Sequence, residues 1–320
     1  MLDQYGREID YLRISITDRC NLRCVYCMPS EGIVKQCHND ILSYEEITKL
    51  VRHFATFGIR KIKLTGGEPL VRNDVAGLIR KLYEIEGIQE VTLTTNGLLL
   101  EDYMEELYAA GLRHINISLD SLRPAVFQKI TRFPGADKVK KAISHALSLG
   151  MQVKINVLPI RGYNEDSLLE LVELAREHRV HVRFIELMPI GLGANMIGIA
   201  QEEIMTAIQE HFGSLTRISE HLGNGPCVYY ACEGLMGSIG FISALSHKFC
   251  EHCNRIRLTA NGFLKPCLQY DTGEDLRPYL EEEETLHKVI EEVIYHKPRA
   301  HAFGEEGQHK EQRLMSDIGG

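Results

Sequence analysis

No uninterrupted apolar run in the 320 residues approaches the roughly 20 needed to span a bilayer. The start, Met1-Leu2-Asp3-Gln4, lacks the basic-then-apolar pattern of a secretory leader. A cytoplasmic protein with no membrane contact is therefore expected. Basic excess is missing too: 36 Lys and Arg stand against 44 Asp and Glu, a formal net charge of -8, which argues against a dedicated nucleic-acid binder because such domains carry a basic footprint. Neither an internal repeat nor a low-complexity linker interrupts the chain. At 44% hydrophobic and 25% charged residues, the composition is that of an ordinary globular protein of one large domain or two.

Cysteine is absent from the 189 residues between Cys37 and Cys227, yet the chain has nine. Cys20, Cys24, Cys27 and Cys37 lie near the start, and Cys227, Cys232, Cys250, Cys253 and Cys267 near the end. Without an export signal, such thiols point to metal binding, catalysis or burial rather than a disulfide framework.

The cysteine-free middle has a regular beat. Lys61 to Leu64, Val91 to Thr94, Ile115 to Ser118, Val153 to Val157 and Val180 to Ile185 read as strands. Between them, helices are expected from Ser43, where Ser43-Tyr44-Glu45-Glu46 makes a capping box, and near Asp74 to Glu84, Glu101 to Ala110, Asp137 to Leu149 and Asp166 to His178. This alternation predicts parallel strands with right-handed crossovers, in a partial (β/α) barrel or an open sheet, since five to six units are too few for a complete barrel. Thr65-Gly66-Gly67-Glu68-Pro69, Thr95-Asn96-Gly97 and Leu119-Asp120-Ser121 fall at strand ends and are expected to share one rim. Beyond residue 212 the rhythm breaks into shorter apolar pieces that suggest strands or hairpins, followed by a helix over Glu283 to Tyr295.

Cys20, Cys24 and Cys27 are spaced C-x3-C-x2-C on one short loop. A cubane [4Fe-4S] cluster normally takes four cysteines, so three leave one iron open to a small chelator. Zinc fits less well, because it wants a fourth protein ligand that only Cys37 or His38 offers nearby. Cys250, Cys253 and Cys267 form C-x2-C-x13-C. By itself this set suits zinc, with His252, Cys227 or Cys232 as fourth ligand, as readily as iron and sulfur. Arg255 and Arg257 alternate along an apparent strand beside it, so both forks face one side, ready for phosphate or a purine edge.

The first triplet, with an aromatic residue before its third cysteine, and the glycine motif at 65–69 resemble the radical S-adenosylmethionine (SAM) family. Tyr11 to Cys20, Phe249 to Thr259, Lys265-Pro266-Cys267 and the ending Met315 to Gly320 resemble more narrowly its GTP-cyclising members in molybdenum cofactor biosynthesis. The resemblance implies an α/β fold, an incomplete (β/α)6 barrel over residues 1–212 with an auxiliary-cluster region over 213–320. It also implies two [4Fe-4S] clusters, on Cys20, Cys24 and Cys27 and on Cys250, Cys253 and Cys267, with SAM contacted by Tyr26, Gly67, Ser118 and Met188. GTP contacts would come from Arg13, Lys63, Thr94, Lys154, Arg255 and Arg257, with Arg183 a further candidate, and the catalytic arginines would be Arg13, Arg255 and Arg257. Lys63 stands where many relatives would carry arginine, keeping the charge without the fork.

The implied reaction is removal of the ribose C3′ hydrogen of GTP by a deoxyadenosyl radical, attack on guanine C8, and completion by one electron and one proton. The implied partners are a reductant or electron-donor protein and, through the product, a downstream pyranopterin-forming enzyme, the chain itself being a monomer or homodimer. In the same family Gly319-Gly320 inserts into the barrel. Another two-cluster radical SAM enzyme and a non-catalytic iron-sulfur electron carrier remain as alternatives.

Overall fold

The computed structural model describes residues 1–33, 37–220, 222–303, 311 and 313–319. Six strands alternate with helices: β1 (Tyr11–Ser15), α1 (Tyr44–Thr56), β2 (Lys61–Thr65), α2 (Val75–Tyr83), β3 (Glu90–Thr95), α3 (Leu100–Ala109) and β4 (His114–Ser118). After these come α4 (Pro124–Thr131), α5 (Ala136–Ser148), β5 (Gln152–Val157), α6 (Leu168–Glu177), β6 (Val180–Ile185) and α7 (Gln201–Phe212). The carboxy-terminal part adds β7 (Leu215–Arg217), β8 (Val228–Cys232), β9 (Ser238–Ile242), β10 (Arg255–Leu258), β11 (Phe263–Lys265), β12 (Glu274–Asp275), α8 (Glu283–Tyr295) and a last turn, α9 (Met315–Ile318).

The strands form one twelve-stranded sheet in the order β12-β11-β10-β1-β2-β3-β4-β5-β6-β9-β8-β7. Its central run, from β10 through β1 to β6 and on to β9, is parallel, and the outer strands are antiparallel. The short pieces after residue 212 therefore do form hairpins, and each hairpin also lays one strand parallel to an edge of the main sheet. Pairing those edges removes the exposed hydrogen-bonding rows that invite aggregation. The barrel stays open, as expected from the small number of βα units.

Strand residues that face the helices, such as Ile62, Leu64, Val91, Leu93, Ile115, Ile117, Val153 and Ile155, are buried with the apolar faces of the helices. On α1 that face is Ile47, Leu50, Val51 and Phe54. Its capping box is present: Glu46 donates its amide to Ser43 Oγ at 3.1 Å, and the Glu46 carboxylate accepts the Ser43 amide at 2.6 Å. Among the described residues no helix is long and apolar enough to cross a membrane.

Candidate active site

Register builds one wall of the site. Arg13 on β1 stands opposite Lys63 on β2 and Arg257 on β10, and Lys63 stands opposite Thr92. Further along, Asn116 pairs with Lys154, and Asn156 with Arg183. Paired residues of parallel strands project to the same side, so three cations share one row on the inner face of β10, β1 and β2.

A cavity of about 350 Å³ occupies that inner face. Both cysteine triplets line it: Cys20, Cys24 and Cys27 on one side, Cys250, Cys253 and Cys267 on the other. Tyr26, Gly67, Ser118 and Met188 line it as well, and so do Arg13, Thr94, Arg255 and Arg257. Lys63 and Lys154 do not line the cavity; Lys63 stands in the cation row, and both feel the charge of Arg183. Lys154 Nζ bonds the Leu222 carbonyl at 2.5 Å. The Arg183 guanidinium is held by the Asn116 and Asn156 side-chain oxygens, and its Nε has no hydrogen-bond partner. Lys61 turns away to pair with Asp10 at 2.7 Å.

The two triplets lie in contrasting surroundings. Burial pushes the Cys20 thiol up to about 11 and the Cys27 thiol to about 12, and raises Cys24 well above the usual thiol range. Cys250 is also raised, first by burial. Burial works the same way on Cys253, but Lys297 and Arg255 overcome it and bring that thiol down to about 6. Buried thiols short of positive charge suit metal ions, which supply it on binding. Among the described residues no three His, Cys, Asp or Glu side chains are placed to hold a single metal ion. A cubane makes a different demand, one thiolate per iron corner, and three thiols spread over one wall of a cavity fit it.

The cation row is electrostatically loaded. Lys63 is held well below the usual lysine range by burial and by Arg183, Arg13, Lys154 and Arg255. Arg257 is lowered by burial and then by Arg13 and Arg255. Burial and Arg183 bring Lys154 down to about 8. Mutually repelling buried cations form a site poised for a polyanion.

The glycine motif has a steric basis. A Cβ on Gly67 would lie 2.4 Å from the Arg19 carbonyl oxygen, and one on Gly66 2.6 Å from that of Thr17. Side chains are thus excluded because this turn packs on the backbone leading into Cys20, a reason beyond room for a ligand. Glu68 accepts from Thr95 Oγ1 and the Asn96 amide, both at 2.7 Å, tying the 65–69 turn to the next strand end. Tyr26 donates to Asp120 Oδ2 at 2.8 Å.

Several supporting residues escaped the sequence reading. Helix α4 steadies the first cysteine loop: Arg23 and Val25 donate their amides to the Thr131 and Ile130 carbonyls, and Arg132 bonds the Arg23 and Met28 carbonyls. Lys297, Asn156 and Gln269 also line the cavity. Only distance in sequence hid them, since no local motif links residue 297 to residue 253. At the tail, Arg257 Nη1 donates to the Gly319 carbonyl at 2.8 Å, and Gly319 sits at φ 75° against Ser15 and Thr65. Gly320 lies outside the described residues. Cys37 is exposed and Cys232 buried, whereas Cys227 packs near Arg183 and Tyr229.

Comparison with known proteins follows the same division. The Radical SAM superfamily model matches residues 14–175 and the Molybdenum Cofactor Synthesis C model residues 180–303. A GTP 3′,8-cyclase of Peptoclostridium acidaminophilum is 44% identical over 100% of this chain and 98% of its own length. Those of Clostridium botulinum (strain Langeland) and Desulforamulus reducens are 45% and 46% identical over the whole of both chains. Among solved structures, SuiB of Streptococcus suis bound to S-adenosylmethionine superposes with a TM-score of 0.63 at 16% identity, covering 91% of this chain and 66% of that one. That likeness shows a shared fold.

Proposed function

The chain belongs to the GTP 3′,8-cyclases of the radical SAM superfamily, and from that premise we propose that one cavity joins SAM cleavage to GTP cyclisation between two [4Fe-4S] clusters. The observation that carries this reading is the facing of two cysteine triplets across one cavity, with a row of cations beside them. Cys20, Cys24 and Cys27 hold the first cluster, and Cys250, Cys253 and Cys267 the auxiliary one. When bound, the first cluster supplies the electron that cleaves SAM to a 5′-deoxyadenosyl radical.

The protein's own residues bind, orient and shield. Tyr26, Gly67, Ser118 and Met188 hold SAM. Arg13, Thr94, Arg255 and Arg257 contact GTP from the cavity wall, and Lys63, Lys154 and Arg183 complete its binding site through their charge rather than by lining the cavity. Guanidinium forks suit phosphate oxygens, and their burial strengthens each contact. GTP gives its C3′ hydrogen atom to the deoxyadenosyl group, which ends as 5′-deoxyadenosine; C3′ closes onto guanine C8, and one electron and one proton complete 3′,8-cyclo-7,8-dihydro-GTP. Fixing the two carbons near contact supplies much of the rate, and exclusion of solvent by the bound nucleotide and SAM would protect the radical.

A reductant or electron-donor protein supplies the electron, and a separate pyranopterin-forming enzyme takes the product. The reaction is placed in the cytoplasm, on a monomer or homodimer whose residues 1–212 carry SAM chemistry and whose residues 213–320 carry the auxiliary cluster. Anaerobic incubation with SAM, dithionite and GTP tests the reading, with 5′-deoxyadenosine and the cyclised nucleotide expected together. Deoxyadenosine formed only with some other substrate, and no cyclised GTP, would overturn it.

A further inference from the structure

The carboxy-terminal triplet has a construction problem that the amino-terminal one lacks. Cys20, Cys24 and Cys27 share one continuous loop, whereas Cys267 is separated from Cys250 and Cys253 by the β10–β11 hairpin. Two buried cations bridge the pieces. Lys297, 2% exposed, donates from Nζ to the Arg255 carbonyl at 2.8 Å and to the Pro266 carbonyl. Those carbonyls lie two residues after Cys253 and one before Cys267. Arg7, 7% exposed, donates to the Cys250 carbonyl at 2.9 Å and to the carbonyls of Lys297, Pro298 and Arg299 at 3.2, 2.7 and 2.9 Å. Asp3 pairs with Arg7 at 2.6 Å and fixes the plane of its guanidinium. The segment so gripped also points the His301 amide at Cys250 Sγ, 3.5 Å away.

We infer that Arg7 and Lys297, from opposite ends of the chain, are positioning residues that hold the turn bearing Cys250 and Cys253 and the segment bearing Cys267 in mutual register. The inference rests on the two-cluster reading above. Four carbonyl oxygens converge on one guanidinium, an arrangement only a five-donor planar fork can serve. Outer hydrogen bonds of this kind set the geometry of ligating loops. The amino-terminal triplet, held by its own loop and by α4, is independent of this frame.

Lys297→Met and Arg7→Lys separate the roles. Reconstituted anaerobically, each is expected to carry about four iron atoms per chain where the unaltered protein carries about eight. Each should lose the auxiliary cluster's electron paramagnetic resonance signal, keep SAM cleavage to 5′-deoxyadenosine, and retain a cooperative thermal transition. Lys297→Arg, which keeps a buried donor cation, should recover iron. Full iron content in both variants overturns the inference, as does loss of both clusters together with the fold in both. A Cys250→Ala, Cys253→Ala, Cys267→Ala protein with the same iron content as the unaltered chain would instead remove the two-cluster reading itself.

Discussion

A lysine buried among arginines holds its proton weakly, and Lys154 is the clearest case here. Burial, then Arg183, bring it down to about 8. Below that pH it is an ammonium that attracts phosphate; above it the charge and the attraction are lost. kcat/KM for GTP is expected to fall above pH 8 by about threefold to tenfold, the worth of one nearby charge acting through the protein interior without direct contact. Lys154→Arg keeps its charge and should flatten the profile over the same range. An unchanged decline in that variant, measured by product formation from pH 7 to 9.5, assigns the titration elsewhere. The residues that make this cluster were legible to different degrees. Arg255 and Arg257 could be paired from strand alternation alone, but the Asn116 and Asn156 oxygens that hold Arg183 come from separate strands, and no sequence spacing places them together.

Among the elements, helix α1 was readable to its first residue because its start signal is local. Ser43 and Glu46 satisfy each other's amides, so Ser43→Ala is expected to remove about 1 kcal/mol of stability. That is a fall in Tm of roughly 1–3 °C with cyclisation unchanged, measurable by calorimetry on the unaltered and variant proteins. An unmoved Tm would mean that tertiary packing alone sets this end. The five strands of the middle were legible for the same reason, as β-branched runs between glycine-rich turns. Helices α4 and α7 were not. Both lack a side-chain cap, and α7 buries only Ile204 and Ile208, too thin a stripe for periodicity to register. The parallel pairing of β9 with β6 and of β10 with β1 was also hidden, because it depends on contacts far apart in sequence.

Over the whole molecule, an acidic chain carries a concentrated positive cluster. The net charge of -8 sums the whole chain, Arg13, Lys63, Lys154, Arg183, Arg255 and Arg257 included, so the rest of the molecule is more acidic than that total. The carboxy-terminal end reaches this cluster: Gly319 accepts from Arg257, and a Cβ there would lie 2.8 Å from Ser15 Cβ. Alanine residues appended after Gly320 are therefore expected to abolish cyclisation while both clusters and SAM cleavage persist, as chromatography of the two products would show; undiminished cyclisation would detach the tail from the chemistry. The seam between β1 and β10 has a further consequence, in the order of synthesis. Tyr11 pairs with Arg255, which closes a loop on the order of 240 residues and makes this a late contact in folding. A ribosome has released most of the chain before the first strand gains its second neighbour. The thiols of Cys20, Cys24 and Cys27 are thus made long before the strand that bears Arg255 and Arg257 closes the other side of β1.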